Sequence, residues 1–114
     1  NPNLKHLTES NFDASIKNGM WLIELYSPYC GHCKHFAPLW QDLAEYNEHL
    51  EDSSDFHMAR INCISQGDLC QKLKVEGYPS LFLFSQGSFV EKYEEEREWQ
   101  PMLTYIEMRA ADYR

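Results

Sequence analysis

No stretch of this chain reaches the ~18 apolar residues that a membrane-spanning helix needs, and no signal-peptide pattern stands at its start. Clustered Lys and Arg are missing too. The 114 residues hold 10 Lys and Arg against 18 Asp and Glu, a formal charge of −8. Binding through nucleic-acid phosphates or to an anionic membrane surface needs local positive charge, so neither fits this composition. Acidic solubility is the plain reading of the excess. Internal repeats, low-complexity tracts and a linker long enough to divide the chain are also lacking, so one globular domain over 1–114 is expected. With 43% hydrophobic and 14% aromatic residues, that domain can bury a core without obligatory cross-links. The chain opens on Asn1 rather than Met and ends Tyr113-Arg114 without a retention signal, which reads as a processed product or a module of a longer protein.

Cysteine is sparse, four in all, and its spacing carries the chemistry. Cys30 and Cys33 bracket Gly31-His32 inside Tyr26-Ser27-Pro28-Tyr29-Cys30-Gly31-His32-Cys33-Lys34-His35-Phe36-Ala37-Pro38, where an apolar strand pattern gives way to a helical one. That junction sets the first sulfur at a helix N-terminus. Unpaired N–H groups and the positive end of the macrodipole favour an anion there and lower a thiol's pKa from its free value near ~8.5. Cys30 is the candidate nucleophile. Cys33 can resolve a mixed disulfide formed at Cys30, which makes the pair a redox couple. A protonated His32 adds positive charge beside the sulfur. At about 1.4 kcal/mol per 30 mV, a few kcal/mol of thiolate stabilisation separates a reductant from an oxidant. The other two cysteines, Cys63 and Cys70, make the count even and tilt the compartment toward an oxidising one.

The flanking patterns predict the order β-α-β-α-β-α-β-β-α. Leu4 to Leu7 is a short strand. Thr8 is then the expected N-cap of a helix carrying Phe12 and Ile16, with Leu7 and Phe12 as a hydrophobic staple, and Asn18-Gly19 ends it. Met20 to Tyr26 is almost continuously apolar, as a strand buried on both faces should be. Glu24 breaks that run, and a carboxylate there is costly unless it is paired or functional. Phe36, Trp40, Leu43, Asn47 and Leu50 predict one helix from about Cys33 to Glu51, kinked at Pro38, and Glu51 to Asp55 a solvated loop. Phe56 to Ile61 is the next strand, and Ser65-x-x-Asp68 resembles a capping box before a short helix. Pro79 sits at the entry of the strand Ser80 to Ser85, where a cis bond is compatible. A hairpin leads on to Phe89–Tyr93, with Trp99, Leu103, Ile106 and Ala110 on one face of a closing helix that tolerates Pro101 in its first turn.

With the Cys30 motif, this element order and Gly77-Tyr78-Pro79-Ser80, the chain resembles the thioredoxin superfamily, and within it a catalytic a-type domain of the protein disulfide isomerase family. The resemblance implies an α/β thioredoxin fold, a central mixed sheet of about five strands flanked by four helices. Cys30 would be the attacking sulfur and Cys33 the resolving one. Gly31 and His32 lie between them in the family's motif. Glu24 would be the buried carboxylate that moves a proton to or from Cys33, with Arg60 as its basic partner and Arg97 as a loop arginine that stabilises the resolving thiolate. Pro79 would be the cis-proline facing the sulfurs, and the backbone of Tyr78 would pair with an extended substrate. Cys63 and Cys70 would form a structural disulfide. Tyr29 stands where the family usually has Trp, Ser27 where Ala is common and Ser80 where Thr is common. Tyr29 bears on substrate preference and potential.

The function that follows is thiol–disulfide exchange on unfolded or partly folded proteins in the endoplasmic reticulum lumen, exchanging with glutathione or an upstream oxidase and using no metal or organic cofactor. A thioredoxin-type reductase and a substrate-binding or chaperone module are the alternatives. An all-cysteine zinc site is disfavoured by the wide Cys63–Cys70 gap. His35, like His6, His49 and His57, reads as a solvated surface residue, and Glu94-Glu95-Glu96 as a solubilising turn.

Overall fold

A mixed sheet centred on the apolar run Met20–Tyr26 needs that strand flanked on both sides, and the computed structural model, which describes residues 4–112, places it so. The readings made at Asn1 and at Tyr113-Arg114 lie outside the described residues. The elements run β1 (Lys5–His6), α1 (Phe12–Ile16), β2 (Met20–Tyr26), α2 (Gly31–Tyr46), α3 (Leu50–Ser54), β3 (Phe56–Asn62), α4 (Gly67–Lys72), β4 (Ser80–Ser85), β5 (Ser88–Lys92) and α5 (Trp99–Asp112). The strands lie in the order β1-β3-β2-β4-β5. β1 and β2 run parallel to β3, while β4 is antiparallel to β2 and β5 to β4. Gln86 and Gly87, both at positive φ, make the two-residue turn between β4 and β5.

Alternation along β2 sorts the core into two layers, because successive side chains leave opposite faces of a strand. Met20 and Leu22 pack with Phe36, Trp40 and Leu43 of α2 and Met102 and Ile106 of α5. Trp21, Ile23 and Leu25 pack on the other face with Phe12 and Ile16 of α1 and Leu69 of α4. By the same parity Glu24 belongs to the α2 face, under the helix that begins beside Cys30. Gly19 closes the lower end at φ +83°; a Cβ there would fall 2.6 Å from Asp55 Oδ1, so the turn into β2 admits only glycine.

Several local expectations are corrected. Among the described residues there are five helices, not four, since Asn47 ends α2 and a separate α3 follows. Asn47 occupies an apolar position of the helical repeat, yet its Nδ2 donates to the Leu43 carbonyl at 2.8 Å and its backbone leaves the helix at φ −100°, ψ 11°. A buried amide that satisfies an end carbonyl stops a helix. Ser53 and Ser54, expected in a loop, lie within α3, with Ser54 buried. Thr8 is not the N-cap: its N–H is held by Asn11 Oδ1 at 2.7 Å, and helical residues begin at Phe12. The capping box at Ser65 does not form. Asn62 Oδ1 accepts from the N–H groups of Ile64 and Ser65 instead, an Asx turn that takes Ser65 backwards. The helix expected to continue across Pro38 does so. Trp99 is 37% exposed and meets Tyr46 edge to face at 5.3 Å rather than joining the core.

Candidate functional site

The end of β2 delivers the chain into a tight turn fixed by Ser27, whose Oγ accepts the Tyr29 N–H at 3.1 Å and whose carbonyl accepts the Cys30 N–H at 3.2 Å. Cys30 follows in extended backbone and is itself the N-cap of α2. Its Sγ accepts the Cys33 N–H at 3.1 Å, so a sulfur does here what a Ser or Asp oxygen does at other helix starts. Cys30 and Cys33 are free thiols, the first half-exposed and the second buried. Hydrogen bonding from the Cys33 side chain, joined by the Cys33 and His32 N–H groups and the charge of Arg97, holds the Cys30 thiol below its ordinary value, although partial desolvation opposes this. Burial, helped by the hydrogen bond to Cys30 and by the Cys30 and Glu24 charges, pushes Cys33 up to about 11. At neutral pH the exposed sulfur is the one poised to ionise.

Beneath the pair lies Glu24, with no solvent exposure. The parallel register sets it directly opposite Arg60, and Arg60 Nε donates to Glu24 Oε1 at 3.0 Å. Among the described residues Oε2 has no hydrogen-bond partner. Burial drives the Glu24 carboxyl above the ordinary range, with Arg60 pulling against it. The Arg60 guanidinium rests on the Tyr26 ring at 3.9 Å.

Across the sulfurs, the Tyr78–Pro79 bond is cis and the Tyr78 carbonyl lies 3.6 Å from Cys30 Sγ. Ser80 Oγ donates to the Gly77 carbonyl at 2.6 Å, tying this loop to the start of β4. Arg97 lies 3.5 Å from the Pro79 carbonyl. The segment carrying it is tethered by Tyr93, whose OH donates to the Glu96 carbonyl at 2.5 Å. Tyr29 is 80% exposed and leaves its ring open to a visitor. Gly31 and His32 form the exposed first turn of α2, and a Cβ at Gly31 would touch nothing within 4 Å.

Cys30, Cys33, Gly31, His32, Tyr78, Pro79 and Arg97 thus gather around one sulfur, with Glu24 and Arg60 below it. Cys63 and Cys70 stand apart, disulfide-bonded to each other, and pin the end of β3 to α4. Among the described residues no three His, Cys, Asp or Glu side chains converge to hold a metal. Three residues position the site in roles the sequence did not assign to them. Ser27 builds the turn, Tyr26 supports Arg60 and Tyr93 anchors the Arg97 segment. Only Ser27, placed between a strand and a helix N-terminus, carried a signal that could have found it.

The sheet order and a dithiol at the start of α2 define an oxidoreductase-type α/β domain. The family model described as Thioredoxin matches residues 3–108, and the chain belongs to the thioredoxin family. Its relatives include Protein disulfide isomerase-like 2-1 of Oryza sativa subsp. japonica, 33% identical over 107 residues covering 92% of this chain and 28% of that one. The ER-retained PMA1-suppressing protein 1 of Saccharomyces cerevisiae is 32% identical over 89 residues, covering 78% of this chain and 13% of that one. The structure of the first two thioredoxin domains of Naumovozyma dairenensis Eps1p superposes with a TM-score of 0.91 at 33% identity, covering 96% of this chain and 42% of that one. The chain spans only 13% to 28% of the length of these two curated relatives.

Proposed function

We propose that this domain catalyses thiol–disulfide exchange on protein chains, oxidising their thiols and rearranging their disulfides. The observation that carries the reading is the unequal pair of sulfurs: Cys30 exposed, capped and lowered in pKa, Cys33 buried and raised to about 11. The Cys30 thiolate attacks one sulfur of a substrate disulfide, forming a mixed disulfide and expelling the other sulfur as a thiolate. Cys33 then loses its proton toward Glu24, the buried carboxylate whose charge bears on it, and attacks the Cys30 sulfur. A Cys30–Cys33 disulfide forms, the substrate thiolate leaves, and two electrons have passed to the substrate. Run backwards, the same steps oxidise a substrate dithiol. Attack and release without net electron transfer isomerise one.

Arg97, beside the Pro79 carbonyl, lends its charge to the thiolates, and the Tyr78 backbone offers an extended substrate a strand-like partner. Glutathione or an upstream oxidase reoxidises the pair. An endoplasmic reticulum setting is supported by the ER-retained relative and by the Cys63–Cys70 disulfide. The deciding experiment is a glutathione redox titration with alkylation and mass spectrometry, run on wild type and on Cys30→Ser. The expected midpoint lies near the lumenal poise of about −180 to −210 mV, with exchange abolished in Cys30→Ser. Retained exchange in that variant refutes the reading, and a far more reducing midpoint makes the domain a reductase.

A further inference from the structure

Beside Cys30, on the flank where Tyr78 and Pro79 take no part, a groove of about 430 Å³ opens between the first turns of α2 and the segment before α5. It is lined by Gly31, His32, His35, Phe36, Leu39 and Arg97. Its floor is apolar and fixed: Phe36 is buried and packs on Trp40 at 5.9 Å, while Leu39 is half-buried against the same core layer. Its rim bears the permanent charge of Arg97 and the imidazole N–H groups of two histidines. Among the described residues no carboxylate lines it, although the whole chain carries a charge of −8. At Gly31 the wall is open, since even a Cβ would meet nothing.

The geometry points to this groove as a second substrate subsite, which takes an acidic side chain and an adjoining apolar one from the residues flanking the substrate's cysteine. The inference rests on the reading of Cys30 as the sulfur that bonds the substrate, and it names which substrates that sulfur meets best. Gly31 and His32 directly follow Cys30, so a chain held at the sulfur has its next residues at the groove mouth, each extended residue reaching about 3.3 Å. Once the mixed disulfide forms, contact with the rim is intramolecular and needs little intrinsic affinity. A carboxylate finds Arg97 and imidazole donors. An apolar neighbour covers Leu39 and Phe36. His35, which the sequence alone presents as a solvated surface residue, becomes a specificity-determining one.

The test uses the symmetric disulfides of single-cysteine peptides reduced by one equivalent of the reduced protein, each turnover releasing two peptide thiols and leaving one Cys30–Cys33 disulfide. Four peptides place Glu-Phe, Lys-Phe, Glu-Gly or Lys-Gly beside the cysteine, each made with the pair on either flank. Glu-Phe is expected to react about fivefold faster than Lys-Phe on one flank at least. His35→Glu should erase the Glu preference. Leu39→Ala should erase the Phe preference while leaving the Glu-to-Lys ratio and the Lys-Gly rate unchanged, a pattern that a diffuse electrostatic pull cannot give. Equal rates for Glu-Phe and Lys-Gly in wild type, or preferences that survive both substitutions, overturn the subsite and leave the exchange reaction standing. No reaction with any peptide overturns the exchange reaction and the subsite together.

Discussion

The two sulfurs differ by environment alone, and their titrations should show it. Alkylation of the reduced protein, followed residue by residue with mass spectrometry, should rise at Cys30 through a pKa below 9.0 and at Cys33 only toward about 11. Coincident curves would remove the division of labour. The sign for stability follows: a thiol with a raised folded pKa supports the fold fully below the unfolded value of 9.0, and that support is lost as pH climbs toward about 11. Reduced protein should therefore weaken over that window, with no such loss from Cys33 in the oxidised form. Glu24 works in the same direction at lower pH. Its raised carboxyl means that the ionised form burdens the fold above the ordinary value of 4.5, and the burden fades as pH falls below it. Glu24→Gln should thus be at least as stable as wild type at pH 7 by urea denaturation, with the difference vanishing in acid. It should also slow release of the mixed disulfide more than its formation, as followed by quenched-flow trapping. Equal slowing of both steps would take Glu24 out of the proton path. Glu24 was legible because one charge interrupts seven strand residues. Tyr93 was not, since a buried tyrosine whose hydroxyl tethers a loop looks in sequence like any core aromatic.

At the scale of elements, what could be read depended on how much periodicity a segment carries. β2, with its almost continuous apolar run, and the junction of β2 with α2 at Cys30 stand out because burial on both faces and a helix start leave distinct patterns. The break between α2 and α3 does not, since Asn47 falls on the apolar repeat and shows its end-capping role only when its amide meets the Leu43 carbonyl. α3 spans five residues, too few to display a period. The Asx turn at Asn62 outcompeted a capping box that had the right letters at Ser65 and Asp68, a contest between local hydrogen bonds that spacing cannot judge. The disulfide is the element-scale feature with a definite energy. Its cysteines are 7 apart in sequence, and closing so short a loop stabilises by about 2.5 kcal/mol in the chain-entropy model. Cys63→Ala combined with Cys70→Ala should lower the unfolding free energy by about that amount in urea denaturation. A loss near zero would mean that α4 holds to β3 through Leu69 and its neighbours without the bond.

Over the whole molecule, the five-stranded sheet is covered on both faces but ends in two rims, β1 and β5. β1 has two residues. β5 has five, largely exposed, with Phe89 at 55% and Val90 at 43%. Its pairing with β4 shifts register between Leu83 and Phe84, leaving Val90 as the extra residue of a bulge, and Lys92 stands exposed at its end. Bulges and edge charges blunt a strand as a template for another chain. Lys92→Val should therefore lower the protein concentration at which self-association begins in sedimentation velocity, and an unchanged monomer profile would show that the bulge alone guards the rim. Domains joined in one polypeptide meet at effective concentrations that reach the millimolar range for short flexible tethers. Crowded like beads on a thread, sheets with long flat borders would zip into one another and erase the boundaries between neighbours. A two-residue border on one side and a kinked, charged one on the other let such a bead be duplicated along a polypeptide while each copy stays separate.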